Sequence, residues 1–532
     1  MPVKGSIMKT LRITRSLFVS VASLLGVFIL NAQTQPKNLD AYVESVQKAF
    51  EVPGIALAIV KDGKVVVAKG YGIRKLGEAA KVDEHTTFGI ASNSKAFTAT
   101  ALGILVEEGK LEWDAPVFRY LPWFRLSDPY VTREMTVRDL LVHRSGLGLG
   151  AGDLLWWPPS TYNRKEIARR LQFIPLATSF RSTYAYDNVL YLVAGELIEA
   201  VSGQTWEDFV ATRILAKVGM ADSKPRHSDA TGEGNIAATH ARIDGNVRPV
   251  NPFASDNTNP AGGINASARD MAKWLITQLD SGRVADGTRL FSRQTSAQLW
   301  RVVTPLPIGN PPPELAPLRA NFSGYALGFE VRDYHGYKLV QHTGGLPGYV
   351  SKVAMIPELK IGVAVLTNQE AGAAFESIVY FVLDHYLGAP KMDWLAAYKS
   401  RYDGQVSMLA QMEKQTLSKR DTSMRPPLPL ASYAGTYTDA WYGDVTVGFE
   451  EGKLAIQFDH TPSLSGDLEY WQYDTFIAKW RDRELRADAF VTFFLNPDGT
   501  IDQVKMKAVS PATDFSFDFQ DLLLKPVKRG AR

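Results

Sequence analysis

Between residues 39 and 116 the apolar pattern changes rhythm twice. Helical spacing around Leu39 to Phe50 ends at Pro53-Gly54, and two β-branched runs follow, Ile55-Ala-Leu-Ala-Ile-Val60 and Lys64-Val-Val-Val-Ala-Lys69. Asp62-Gly63 between them supplies a tight turn, so the runs predict a hairpin. Next, strand-like Thr87-Phe-Gly-Ile-Ala91 leads into Lys95-Ala-Phe-Thr-Ala-Thr-Ala-Leu-Gly-Ile-Leu-Val-Glu-Glu-Gly109, which predicts a buried helix. Helical material fills the middle of the chain, including Thr136-Val-Arg-Asp-Leu-Leu-Val-His143, and strand-like runs return at 325–331, 338–342, 351–356 and 361–366 before a helix from about Ala374 to Leu387.

Strands at both ends of this region, separated by helices, predict an α+β body: one antiparallel sheet flanked by helices, with an inserted helical lobe. The body is expected over 33–390. From Lys391 the composition shifts to a helical stretch reaching about Lys414 and then to Arg425-Pro-Pro-Leu-Pro429, a linker expected over 391–429. Beyond it, short β-rich runs with turns at Glu451-Gly452, Ser465-Gly466 and Pro497-Asp498-Gly499 predict a small all-β barrel over 430–528.

At 532 residues the chain can bury large cores without staples. It contains no cysteine, which excludes thiol catalysis and a Cys-ligated zinc. The eight histidines show no metal-ligand spacing, and no metal or cofactor is expected. The glycine run Ser145-Gly-Leu-Gly-Leu-Gly-Ala-Gly152 follows a helical segment and precedes Trp156-Trp157-Pro158-Pro159, so it is a loop and not a dinucleotide fingerprint. Lys4, Lys9, Arg12 and Arg15 precede an apolar run from Leu17 to Leu30, the layout of a signal peptide over 1–32. Those four charges account for the basic balance: a formal net charge of +3 becomes −1 without them, and no basic stripe suited to nucleic acid remains. A secreted, periplasmic location is expected.

Three short motifs carry candidate chemistry. Ser92-Asn93-Ser94-Lys95 places a hydroxyl at a helix start, with Lys95 on the same face. Ser-x-x-Lys also occurs at Ser6 to Lys9 and Ser45 to Lys48, so only the strand-to-helix context distinguishes Ser92 from an ordinary capping serine. Tyr186-Asp187-Asn188 precedes an apolar helix; its phenol, beside a lysine cation, can ionise below about 10 and accept the serine proton, or it is a packing aromatic with Asn188 as N-cap. His342-Thr343-Gly344-Gly345 ends a strand, where glycines admit a substrate backbone, and the bland alternative is an edge-strand histidine. No Gly-x-Ser-x-Gly elbow is present.

In this order and spacing, the motifs resemble the serine β-lactamase and penicillin-binding-protein-like superfamily, in its class C-like, peptidase S12-type branch. Pro53-Gly54-Ile-Ala-Leu-Ala, Leu111-Glu-Trp-Asp114-Ala-Pro116, Val137-Arg-Asp-Leu-Leu-Val-His143-Arg-Ser145-Gly146-Leu147 and Pro260-Ala-Gly-Gly263-Ile-Asn-Ala-Ser267 are similar to family blocks, over about residues 38–390. Tyr433-Ala-Gly435-Thr-Tyr437 and Trp471-Gln-Tyr-Asp-Thr-Phe476 resemble a lipocalin-like C-terminal domain found on some of these hydrolases. The resemblance implies Ser92 as the acylated nucleophile, Lys95 and Tyr186 as the proton-transfer pair, and the Ser92 and Gly345 N–H groups as an oxyanion hole. It also implies Asn188, His342, Thr343 and Gly344 as substrate-binding residues. One departure is visible: His342 stands where class C β-lactamases carry the lysine of Lys-Thr-Gly, and a mostly neutral imidazole replaces a permanent cation.

The expected function is therefore a secreted serine hydrolase working through an acyl-enzyme on an amide or ester, of peptidase, D-aminopeptidase or esterase type, with a small-molecule or peptide substrate. The alternatives are a penicillin-binding D,D-carboxypeptidase or weak β-lactamase, and a non-catalytic sensor or binding protein on the same fold. The C-terminal domain is expected either to restrict the cleft or to join copies into a homo-oligomer.

Overall fold

The run Ile55 to Val60 lacks polar alternation because its strand is buried on both faces. Ile55, Leu57 and Ile59 join a core with the helices Leu39–Phe50 and Gly372–Leu387, while Ala56, Ala58 and Val60 face the core that contains Lys95–Glu107 and Ala268–Leu279. The computed structural model describes residues 34–230 and 234–527, so the signal peptide expected over 1–32 lies outside the described residues. Early and late strands share one antiparallel sheet. Its eight strands run in the order Lys64–Gly72, Gly54–Lys61, Ile361–Thr367, Tyr349–Ile356, Tyr337–Leu346, Glu330–Tyr334, Ser323–Tyr325 and Thr304–Pro305.

Two local readings change. The run expected as one strand over 325–331 is broken after Tyr325, where Ala326 N–H closes a turn on the Phe329 carbonyl (2.7 Å). The stretch Thr136 to His143 forms only the short 3-10 turn Arg138–Leu141. There the buried Asp139 carboxylate accepts from the Thr136 N–H and hydroxyl and pairs with Arg144 and Arg181, which fixes the chain as a single tight turn.

The helix Trp394–Leu417 leads to the second sheet, also of eight antiparallel strands. Chain-order neighbours pair from Gly435–Asp439 through Ile501–Ala508, and Lys525–Pro526 pairs back onto Gly435–Asp439. A bridge between Val504 and Leu524 nearly closes this all-β barrel. The barrel docks on the body: the Tyr162 hydroxyl donates to the Tyr442 carbonyl, Arg170 donates to the Trp441 carbonyl at 2.9 Å, and Arg486 grips Glu370 through two nitrogens.

The strand Tyr337–Leu346 fixes the Ser92 turn. Its pairing with Glu330–Tyr334 stops at Gln341, so the edge from His342 to Leu346 lies beyond the partner strand. A Cβ on Gly344 would sit 2.2 Å from the Ile90 carbonyl and 2.6 Å from Ser351 Oγ, whereas a Cβ on Gly345 would meet nothing within 4 Å. Gly344 is thus a close-packing position, and Gly345 has room. Gly344→Ala is expected to lower stability by about 1–3 kcal/mol through overpacking, while Gly345→Ala stays near the parent. Thermal midpoints of the two purified variants check this, and equal midpoints would refute it.

Candidate active site

Strand Phe88–Gly89 pairs with Asn265–Ala266 and delivers the chain into a 3-10 turn, Ala91–Ser94, that runs directly into the helix beginning at Lys95. Two hydroxyls secure the turn: Ser94 Oγ accepts from Ile264 N–H at 3.0 Å, and Ser351 Oγ donates to the Ile90 carbonyl at 2.8 Å while accepting from Asn93. Ser92 therefore sits at a rigid corner on the wall of a cavity of about 330 Å³.

The Lys95 ammonium is buried at the centre of the site. It donates to Ser92 Oγ at 3.1 Å, Asn188 Oδ1 at 2.8 Å and the Ala261 carbonyl at 3.1 Å, and it lies over the rings of Tyr186 and Tyr191 at 4.8 and 5.1 Å. Burial pulls its pKa down to about 7, against the attraction of Asp153 and Asp187. Asn188 is the N-cap residue of Val189–Ser202, yet its side chain makes no capping bond. It is turned into the site, accepting from Lys95 and donating to Asp153 Oδ2 at 2.9 Å.

Tyr186 lines the same cavity. Burial raises its phenol far above the ordinary value, and the hydrogen bond with Ser92 only partly opposes this. The direction expected from a nearby cation is thus reversed, because desolvation outweighs the hydrogen bond with Ser92 and the phenol keeps its proton. The ring rests on His143, centroids 4.2 Å apart. His143 Nδ1 accepts from the Asp187 N–H at 3.1 Å.

The third motif divides. Thr343 and Gly345 line the cavity, and His342 lies buried in its wall, whereas Gly344, expected to bind substrate, packs under the Ser92 turn. His342 Nδ1 lies 2.6 Å from the Thr343 carbonyl and must donate there, so Nε2 accepts from the Tyr325 hydroxyl at 2.7 Å. Burial, reinforced by Lys95, pushes this imidazole down to about 3, and burial pushes the cavity's other imidazole, His227, to about 4. Both are neutral at pH 7. Among the described residues lining the cavity there is no lysine or arginine, but Glu330 and Asp514 are present.

Sequence reasoning did not find Asp153 or the loop Asp514 to Asp518. Asp153 Oδ2 accepts from Asn188 and from Ser516 Oγ at 2.8 Å, across 363 positions of sequence, and Oδ1 accepts from Trp156 Nε1 at 2.9 Å. Burial raises its carboxyl to about 7. Asp518 in turn accepts from Gly152 and Leu154 N–H at 2.7 and 2.9 Å. Phe515 lies so near Gly150 that a Cβ there would sit 2.8 Å from the ring, and Gly150 has φ +69°; the glycine run admits the barrel's loop. A chain of hydrogen bonds thus runs from Ser516 in the barrel through Asp153 and Asn188 to Lys95 and Ser92. Only the glycines at 146–152 hinted at this close approach. Trp156 and Trp157 line the cavity.

Comparison with known proteins places these observations. The model of the beta-lactamase family matches residues 39–386, and that of a domain of unknown function, DUF3471, matches residues 419–526. The chain is 29% identical over 473 residues to the unguisins hydrolase of Aspergillus violaceofuscus (strain CBS 115571), covering 81% of this chain and 80% of that protein. The octameric penicillin-binding protein homologue from Pyrococcus abyssi superposes with a TM-score of 0.58 at 22% identity, covering 92% of this chain and 99% of that one. The D-amino acid amidase from Ochrobactrum anthropi SV3 superposes with a TM-score of 0.55 at 20% identity, covering 66% and 99%. With most of its body matched by the family model, the chain belongs to the beta-lactamase family, whose members are serine hydrolases.

Proposed function

We propose that this protein is a secreted, periplasmic serine hydrolase that cleaves an amide or ester through an acyl-enzyme on Ser92, of peptidase, D-aminopeptidase or esterase type. The observation that carries this is Lys95: a buried amine with a pKa near 7, donating to the Ser92 hydroxyl. In its neutral form it accepts the Ser92 proton as Oγ attacks the substrate carbonyl carbon. The oxyanion that forms is held by the N–H groups of Ser92 and Gly345. Tyr186, held protonated, donates to the leaving nitrogen or oxygen and regains its proton from Lys95, which balances the first half-reaction. Water then attacks the acyl carbon, giving its proton back along the same pair as Oγ leaves.

The relatives named as hydrolase and amidase support amide cleavage here. Neutral His342 and the absence of lysine or arginine among the described lining residues argue against a substrate anchored by a carboxylate, the feature a penicillin would present. The intact set of Ser92, Lys95, Tyr186 and Asn188 argues against a purely sensory role.

A fluorophosphonate is expected to add its mass to the peptide containing Ser92, and Ser92→Ala is expected to lose both labelling and ester hydrolysis. Full activity of that variant would overturn the proposal. The kcat/KM for a short-chain ester is expected to rise with pH through about 7, as Lys95 loses its proton. Lys95→Arg, permanently cationic, should remove that rise and lower the rate about 10²–10⁴-fold. Ser516→Ala tests the link to the barrel. Losing the hydroxyl raises the Asp153 pKa, so Asp153 carries less negative charge, Lys95 loses attraction for its proton, and the acid limb should move to lower pH. A limb that stays in place would remove Asp153 from the account.

A further inference from the structure

Behind the cleft lies a second and larger cavity, about 930 Å³, between the barrel and the body. Trp157, Gly345, Leu346 and Asp514 line both spaces, so the two meet along the strand edge at Gly345-Leu346, with Asp514 at the junction. The cleft alone is near the lower end of volumes that hold small ligands, and the chamber is near the upper end, roughly 300–1,000 Å³. A substrate that filled only the cleft would leave most of the connected volume unused.

The chamber's chemistry is specific. Trp157 stacks on Phe253 with centroids 5.5 Å apart, and Phe517 stands edge-on to Trp157 at 6.5 Å, giving a stiff apolar wall that Leu346 and Val350 extend. Every cation on the lining is already paired: Lys479 and Arg483 with Asp488, and Arg486 with Glu370. Among the described residues, the lining carboxylates Asp244, Glu413, Asp482 and Asp514 have no ion pair. Glu413 accepts from Ser510 Oγ, Asp482 from Glu484 N–H and Asp514 from Ser516 N–H. A cavity with apolar walls and unpaired carboxylates favours an apolar occupant carrying a positive charge and disfavours an anionic one.

We infer that the chamber is a substrate subsite, contributed jointly by barrel and body, for the remote part of an oligopeptide-like amide that is apolar along its length and carries a free ammonium group. This rests on the hydrolase reading of the cleft. The occupant is the substrate itself, because the chamber opens onto the nucleophile's cleft and shares its strand edge. Cleavage would then favour peptides of several residues over single-residue amides, with recognition distant from the scissile bond supplying much of the selectivity.

The test is direct binding to the full-length Ser92→Ala protein, which does not turn over. Peptides of one, three and five apolar residues with a carboxyl-terminal fluorophore are titrated by anisotropy, each with a free and with an acetylated amino terminus. Affinity is expected to rise at least about tenfold from one residue to five as apolar surface enters the chamber, and acetylation should weaken the longest peptide by about fivefold or more. The quadruple variant Asp244→Asn/Glu413→Gln/Asp482→Asn/Asp514→Asn should erase the difference between free and acetylated peptides, and Ala512→Trp, at an exposed position on the lining, should blunt the gain with length. Affinity that does not change with length, or acetylated peptides binding as well as free ones, would overturn the inference. Fluorophosphonate labelling of the parent protein reports separately on Ser92, so a live nucleophile with flat length dependence rejects the chamber alone. Absent labelling with rising affinity rejects the hydrolase reading alone.

Discussion

The site depends on keeping an ammonium group out of water. An isolated buried charge of this size costs several kcal/mol, and the fold offsets that cost around Lys95 with two oxygen acceptors besides Ser92, two aromatic faces and two nearby carboxylates. The compensation is incomplete, and that incompleteness is useful. Fully compensated, the lysine would stay cationic and could not take up a proton as the proposed mechanism requires; without compensation, the site would not hold it charged at all. Ser92, Asn188 and Tyr186 are placed where they are because each answers to this one group.

Much of the architecture was legible in the sequence for a plain reason: both sheets are built from strands whose apolar runs and turn residues are local signals. Ile55 to Val60 declared its burial by lacking polar alternation, and Asp62-Gly63 declared its turn. The site was legible where a motif stood in one stretch, as with Ser92 and Lys95, three residues apart at a helix start. It was less legible where a residue's meaning depends on its surroundings. Gly344 and Gly345 look interchangeable on paper, yet one supports the Ser92 turn and the other borders open space. Tyr186 read as an ionisable phenol, but the depth of its burial is a property of the fold and reverses the direction of its shift.

Asp153 and Ser516 were invisible for a different reason. Their contact joins segments separated by nearly the whole body and a linker, and neither residue has a distinguishing neighbour pattern. From sequence the barrel is expected either to restrict the cleft or to join copies. It supplies a wall of the cavity, through Asp514, Phe515 and Ser516, and a hydrogen-bond donor to the carboxylate that steadies Asn188. The body and the barrel are therefore joined by one hydrogen-bond chain at the cavity, although they are built on two separate sheets.

The bond between Asp518 and the amides of Gly152 and Leu154 has a temporal consequence. A ribosome makes the glycine loop, Ser92 and Lys95 long before it makes residue 518. Until the barrel has been synthesised, folded and docked, those amides lack Asp518 and the Asp153 carboxylate keeps Asn188 and Trp156 but lacks Ser516, and an unpartnered buried group destabilises the loop that holds it. A body truncated before the barrel thus carries every residue of the three motifs without the Ser516 and Asp518 bonds that brace the loop beside them.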